Sequence, residues 1–204
     1  VMINTWRILV SGFSQDLRNP SGTEKLWLKM HEKFSGPTSV VAWKMWSEDW
    51  YKLAEHMYRV RNGSSPIVDL FGYSYGGDGV VRLSRQLQTA GISVRNMVLC
   101  DAVYRHTYWA GNWRSVFPWA SLQIPANVEN VYAVHQRNPR WKFGRSGGIV
   151  QPAGHDIKLE DESKTTLHLW EELPHAHDKI DEATQYHDLA MRVTGEAKTA
   201  KGAA

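Results

Sequence analysis

A single cysteine, Cys100, in 204 residues leaves no possibility of an internal disulfide and fits a reducing, cytoplasmic compartment. No apolar run approaches the roughly 18 residues of a membrane span, so stable membrane insertion is not expected. The opening residues, Val1-Met2-Ile3-Asn4-Thr5-Trp6, have neither a charged start nor a long apolar stretch, and no signal peptide is expected within them. Charge is not concentrated either. Lys and Arg (24) are scattered among Asp and Glu (21) for a formal +3, which argues against a nucleic-acid platform. There is no internal repeat, no H-E-x-x-H pair, and no shift of composition that would mark a domain boundary. What is present is a 42% hydrophobic chain with ten tryptophans, enough for one domain over residues 1–197 with a frayed tail at 198–204.

Apolar runs and helical periodicities alternate along it. Trp6-Arg7-Ile8-Leu9-Val10 reads as a strand that ends at Ser11-Gly12-Phe13-Ser14. Ser21-Gly22-Thr23-Glu24 supplies a capping box for a helix carrying Leu26, Met30 and Phe34. Val40 to Trp43 predicts a second strand. Beyond Ser47, with Glu48 and Asp49 suited to a first turn, Trp50, Leu53, Ala54, Met57 and Tyr58 predict a second helix. Strands are also expected at Ile67–Phe71, Asn96–Cys100, Val131–Val134 and Thr165–Trp170, with helices after Asp78 and from about Asp181. Residues 103–127 form an aromatic excursion, a candidate cap or loop insertion, and residues 137–163 are expected to be mostly loop. Strict alternation of this kind implies an α/β fold of three layers, a mostly parallel sheet of about six strands with helices on both faces. Ligands of such sheets bind at the carboxyl ends of the strands, where Phe13, Ser74 and Asp101 fall.

The stretch around which the rest is arranged is Gly72-Tyr73-Ser74-Tyr75-Gly76-Gly77, an apolar strand emptying into a tight turn that opens a helix with Val80, Leu83 and Leu87 on one face. Strand, G-x-S-x-G and helix in that order are the context of a nucleophile elbow. The glycines would let strand and helix approach, and the strained turn would lift the Ser74 hydroxyl above the sheet. The first N–H groups of the helix, Tyr75's among them, would then face a developing oxyanion. A serine hydroxyl also needs a base, and the base needs an acid to fix its tautomer. Ser74, Asp101 and a histidine of the segment Pro174-His175-Ala176-His177-Asp178 occur in the required chain order. His175, His177, Asp178 and His187 are candidate metal ligands as well, but no third ligand stands at a recognised zinc spacing, so neither a metal nor a cofactor is expected.

With those residues the chain resembles a small member of the α/β-hydrolase family, closest in layout to its lipases and esterases and lacking the antiparallel N-terminal strands of larger members. The segment after Val131–Val134, where most of that family carries the acid, has no carboxylate. Leu99-Cys100-Asp101-Ala102-Val103 resembles instead the subset with the acid after the strand next to the elbow, which implies Asp101, with Asp156 as the alternative. A similar pattern of histidine, two residues, Ile and Asp matches His177-Asp178-Lys179-Ile180-Asp181 and implies His177 ahead of His175. The resemblance further implies an oxyanion hole from the N–H groups of Tyr75 and Phe13, and an apolar substrate wall that includes Trp109 and Trp113. The implied activity is hydrolysis of a small-molecule or lipid ester through a Ser-His-Asp triad. Thioester, amide or peptide cleavage, or a catalytically silent module on the same fold, are the alternatives.

Overall fold

The computed structural model describes residues 2–13, 15, 17–18, 20–61, 63, 65–104, 121–136, 141–143, 150–152 and 154–195. In chain order these form β1 (Thr5–Val10), α1 (Gly22–Phe34), β2 (Ser39–Lys44), α2 (Trp50–Arg59), β3 (Ile67–Tyr73), α3 (Tyr75–Thr89), β4 (Val94–Cys100), β5 (Ser121–Ile124), β6 (Val128–Gln136), β7 (Trp141–Phe143), β8 (Val150–Pro152), β9 (Asp156–Leu159), β10 (Thr166–Leu173), a 3₁₀ turn at Ile180–Glu182 and α4 (Thr184–Gly195).

Side-chain alternation sets the layers. Trp6, Ile8 and Val10 of β1 bury on one face with Val68 and Leu70 of β3 and Met97 and Leu99 of β4, under α2 and α3. Leu9, Phe71, Tyr73, Val98 and Cys100 bury on the other face, under α1 and α4. Strands covered on both faces read as nearly continuous apolar runs, and each helix turns one apolar stripe inward. The main sheet has six strands in the order β10-β6-β4-β3-β1-β2, every neighbouring pair parallel. Chain progression runs outward from β1 to β2, then restarts at β3 on the other side of β1 and continues away from it. Winding therefore reverses between β1 and β3, and the crevice at their carboxyl ends is where ligands bind in open parallel sheets. Ser11-Gly12-Phe13 and Ser74 leave those two ends.

A charged cluster is set into the core away from the strand ends. Asp69, in the middle of β3, is fully buried on the α4 face, and burial pushes its carboxyl pKa up. Arg95 Nε and Asn96 Nδ2 donate to its Oδ1 at 2.9 and 3.0 Å, a second Arg95 nitrogen bonds Oδ2, and the Arg7 guanidinium lies 3.9 Å away. A buried carboxylate left without such partners costs several kcal/mol, about 3–5 when one member of a pair is removed.

Three expectations change in detail. α2 begins at Trp50, because Asp49 caps it: the Asp49 carboxylate accepts the Lys52 N–H at 3.1 Å, so neither Glu48 nor Asp49 belongs to the first turn. Residues 137–163 include an antiparallel pair, β7 with β8, and β9, which pairs in parallel with β5. Segments of three and four residues are too short to show a period. The last helix starts at Thr184, after the 3₁₀ turn, since the Asp181 side chain is engaged across the molecule and Ala183 is extended. Among the described residues no helix is long and apolar enough to cross a membrane.

Candidate active site

Ser74 joins β3 to α3 with φ 53° and ψ −125°, a conformation that costs a non-glycine residue about 1–3 kcal/mol unless its surroundings impose it. They do. The Ser74 N–H donates to Cys100 O at 3.1 Å, and the Ser74 carbonyl accepts from Gly77 N–H at 2.9 Å and Val103 N–H at 2.8 Å. Glycine is required on both sides of the turn: a Cβ on Gly72 would lie 2.6 Å from Gly76 O, and one on Gly76 would lie 2.2 Å from Val10 O. The loop after β1 closes over the elbow just as tightly, for a Cβ on Gly12 would stand 3.0 Å from Ser74 Cβ and 2.9 Å from the Tyr73 ring.

The Ser74 hydroxyl is 2.8 Å from His177 Nε2, and His177 Nδ1 is 2.5 Å from Asp101 Oδ2. Asp101 is wholly buried at the end of β4 with φ 43°, and its N–H donates to Val134 O. Its other oxygen, Oδ1, accepts from Gly154 N–H at 2.8 Å and Gln136 N–H at 3.3 Å, with His135 Nδ1 3.8 Å away. Backbone donors on Oδ1 leave Oδ2 aimed at the imidazole. That orientation makes Nδ1 the protonated nitrogen and Nε2 the acceptor facing Ser74.

His177 itself hangs on a loop after β10, and Tyr73 anchors it. The Tyr73 hydroxyl donates to the His177 carbonyl at 2.5 Å, and its ring lies beside the imidazole with centroids 5.4 Å apart. Burial pushes the Tyr73 phenol pKa up, which keeps it a donor. A second strut ties the same region to the loop after β1. Gln15 accepts the Gly12 N–H at 2.8 Å through Oε1 and donates through Nε2 to Ser21 Oγ at 2.9 Å and Asp181 Oδ2 at 2.7 Å. Asp181 Oδ2 also accepts from Thr23 N–H and Oγ1 at 2.9 and 3.2 Å, and burial pushes this carboxyl up. Gly22 leaves room for it, a Cβ there being 2.3 Å from the Asp181 backbone.

Ser74, His177 and Asp101 are thus in one hydrogen-bonded line, as their order in the chain predicts. His177 rather than His175 meets Ser74. Asp156 opens β9, in register with Ser121 of β5. Tyr75 is the first residue of α3, the open end of the helix where N–H groups point outward. Phe13 lies beside it, the two rings edge to face with centroids 6.3 Å apart. Trp109 and Trp113, the expected substrate wall, lie outside the described residues, as does Ser14. Of the candidate metal ligands, His177 is committed to Ser74 and Asp101, while His187 Nε2 meets Asp181 O at 2.8 Å and its Nδ1 meets Lys29 Nζ at 3.2 Å. Among the described residues no three His, Cys, Asp or Glu side chains gather as a metal site would require.

Tyr73, Gln15 and Gly154 carry site geometry that sequence patterns did not single out. Tyr73 is one of the free positions of G-x-S-x-G, and Gly154 reads only as a loop breaker. Fold and site together define an α/β protein with a Ser-His-Asp array at the carboxyl edge of a parallel sheet. No protein-family model matches the chain, and no curated protein does either.

Proposed function

We propose that the chain is a serine hydrolase of the α/β-hydrolase family that cleaves carboxylic esters. The observation that carries this is the unbroken line from Ser74 Oγ to His177 Nε2 and from His177 Nδ1 to Asp101 Oδ2, set on a strained, glycine-flanked turn. In the first half-reaction Ser74 Oγ bonds to the acyl carbon and its proton passes to His177 Nε2. The carbonyl electrons move to the oxygen, held by the N–H groups of Tyr75 and Phe13. The tetrahedral species collapses, the C–O bond to the alcohol breaks, and the alcohol leaves with the proton from His177. Water then repeats the sequence: its oxygen bonds to the acyl carbon, its proton goes to His177, and Ser74 departs with that proton as the acid is released. Asp101 stabilises the imidazolium in both halves. Every proton is handled by His177, so the sequence calls for no cofactor.

The test is covalent. An organophosphonate should add once to the wild-type chain by intact mass and not at all to Ser74→Ala, and a series of p-nitrophenyl esters should be turned over by wild type. No adduct and no turnover across the series would overturn the hydrolase reading in favour of a binding or structural module on this fold. Thioesters and amides of the same acyl groups, run alongside, rank the bond cleaved.

Tyr73→Phe gives a second, finer prediction. Removing one hydrogen bond to the loop that carries the base is worth about 0.5–1.5 kcal/mol, so kcat should fall about 3- to 10-fold with KM nearly unchanged. A rise in KM at constant kcat would show that Tyr73 does not position His177.

A further inference from the structure

Of the large apolar side chains exposed to solvent, Phe13 (58% exposed) and Met45 (45%) lie near the catalytic crevice in chain position, at the ends of β1 and β2. Phe13 does not stand alone. Its ring centroid lies 5.7 Å from that of Trp46 and 6.3 Å from that of Tyr75, and Trp46 and Tyr75 are 5.9 Å apart, so the three rings close a triangle. Their interplanar angles are 46°, 89° and 47°, which makes the triangle a faceted surface and not a flat stack. Each ring comes from the carboxyl end of a different strand: Phe13 follows β1, Trp46 follows β2, and Tyr75 follows β3 and Ser74 directly. Three aromatics that meet beside a nucleophile, Phe13 of them 58% exposed, are a ready surface for an apolar group.

Placement decides which part of the substrate that group belongs to. His177 stands beside Tyr73, which packs with the α1/α4-face core, whereas Trp46 packs against the α2/α3-face core, so the two lie on opposite sides of the strand that carries Ser74. The leaving alcohol must receive its proton from His177 Nε2, and His177 stands beside Tyr73, whose side chain packs on the α1/α4 face, so the alcohol departs on that side of Ser74. The oxyanion is taken by N–H groups of Phe13 and Tyr75. The remaining substituent on the reacting carbon, the acyl chain, then extends to the α2/α3 side, where Trp46 packs. Resting on the hydrolase reading above, we infer that Phe13, Trp46 and Tyr75 form the acyl subsite, and that the substrates are esters of apolar acids, alkyl or aryl, longer than acetate.

Two ester series separate the possibilities: p-nitrophenyl acetate, butyrate and octanoate, which vary the acid, and methyl, butyl and octyl acetates, which vary the alcohol. Trp46→Ala and Phe13→Ala should each lower the octanoate-to-acetate ratio of kcat/KM about tenfold or more, the discrimination that a few lost apolar contacts provide. Trp46→Phe should retain most of that ratio. The octyl-to-methyl ratio in the alcohol series should move less than about twofold. An acyl ratio unmoved in variants that still take the phosphonate label, or a shift confined to the alcohol series, would overturn the acyl subsite while leaving the hydrolase reading intact. Phe13 is exposed, so its removal tests the subsite even where Trp46→Ala folds poorly. Absence of both label and turnover in wild type would instead remove the reading on which the subsite rests.

Discussion

Asp101→Asn is expected to lower kcat about 10,000-fold with the chain still folded. The size of the effect follows from which oxygen is held by what. Oδ1 accepts the N–H groups of Gly154 and Gln136, and an asparagine keeps those bonds only by placing its carbonyl oxygen there. Its NH₂ group then faces His177 Nδ1, where Oδ2 stands in the wild type. Two donors cannot share that contact, so the imidazole switches to the tautomer with the proton on Nε2 and loses its acceptor toward Ser74. The neighbouring Cys100 supplies the folding control. It is fully buried, and burial pushes its thiol pKa up, so in native protein it should resist a disulfide reagent and react only in denaturant. Activity within tenfold of wild type in an Asp101→Asn variant whose thiol stays protected would remove Asp101 from the triad. Lost activity with an exposed thiol would mean that the variant unfolds, and phosphonate labelling at high probe concentration on the folded fraction would then have to decide.

Local pattern carried the sheet and the elbow because both are local. The apolar run of β3, the glycines at 72 and 76, and Val80, Leu83 and Leu87 of α3 are consecutive or one turn apart, and each obeys a period that a core-facing element imposes. Asp101 was legible as a residue at a strand end, where parallel sheets bind ligands, and its choice ahead of Asp156 came from the resemblance. What stayed hidden is long-range and aperiodic. The bond from Tyr73 to the His177 carbonyl spans 104 residues, and that from Gln15 to Asp181 spans 166. No spacing rule links such pairs, since the turns between them decide whether they meet. Trp46 illustrates the same limit from another side. Its position after β2 was visible, but that it joins Phe13 and Tyr75 depends on β1 lying between β2 and β3, which is a property of strand order. The start of α4 shifted for a related reason, because Asp181 is drawn toward Thr23 and Gln15 instead of opening a helix.

Gly76→Ala should destabilise the fold severely, although helix propensity argues for the opposite sign. Gly76 lies in the first turn of α3, where alanine is favoured over glycine by about 1 kcal/mol in an exposed helix. Against this, the added methyl would lie 2.2 Å from Val10 O and 2.7 Å from Ser11 O. Both contacts are backbone, and β1 cannot give way easily because it is paired in parallel with β2 on one side and β3 on the other. A clash with a clamped strand costs about 3 kcal/mol or more, which exceeds the propensity gain. For a domain of this size that corresponds to a fall in Tm of about 6–12 °C. Gly36→Ala is the matched comparison. No atom lies within 4 Å of its added methyl, so its unfolding free energy should stay within about 0.5 kcal/mol of wild type or rise slightly. Urea midpoints for the two variants, measured at equal slope, test the claim: equal midpoints would mean that helix α3 can back away from β1, and that the close packing at Gly76 does not hold the Ser74 turn in place.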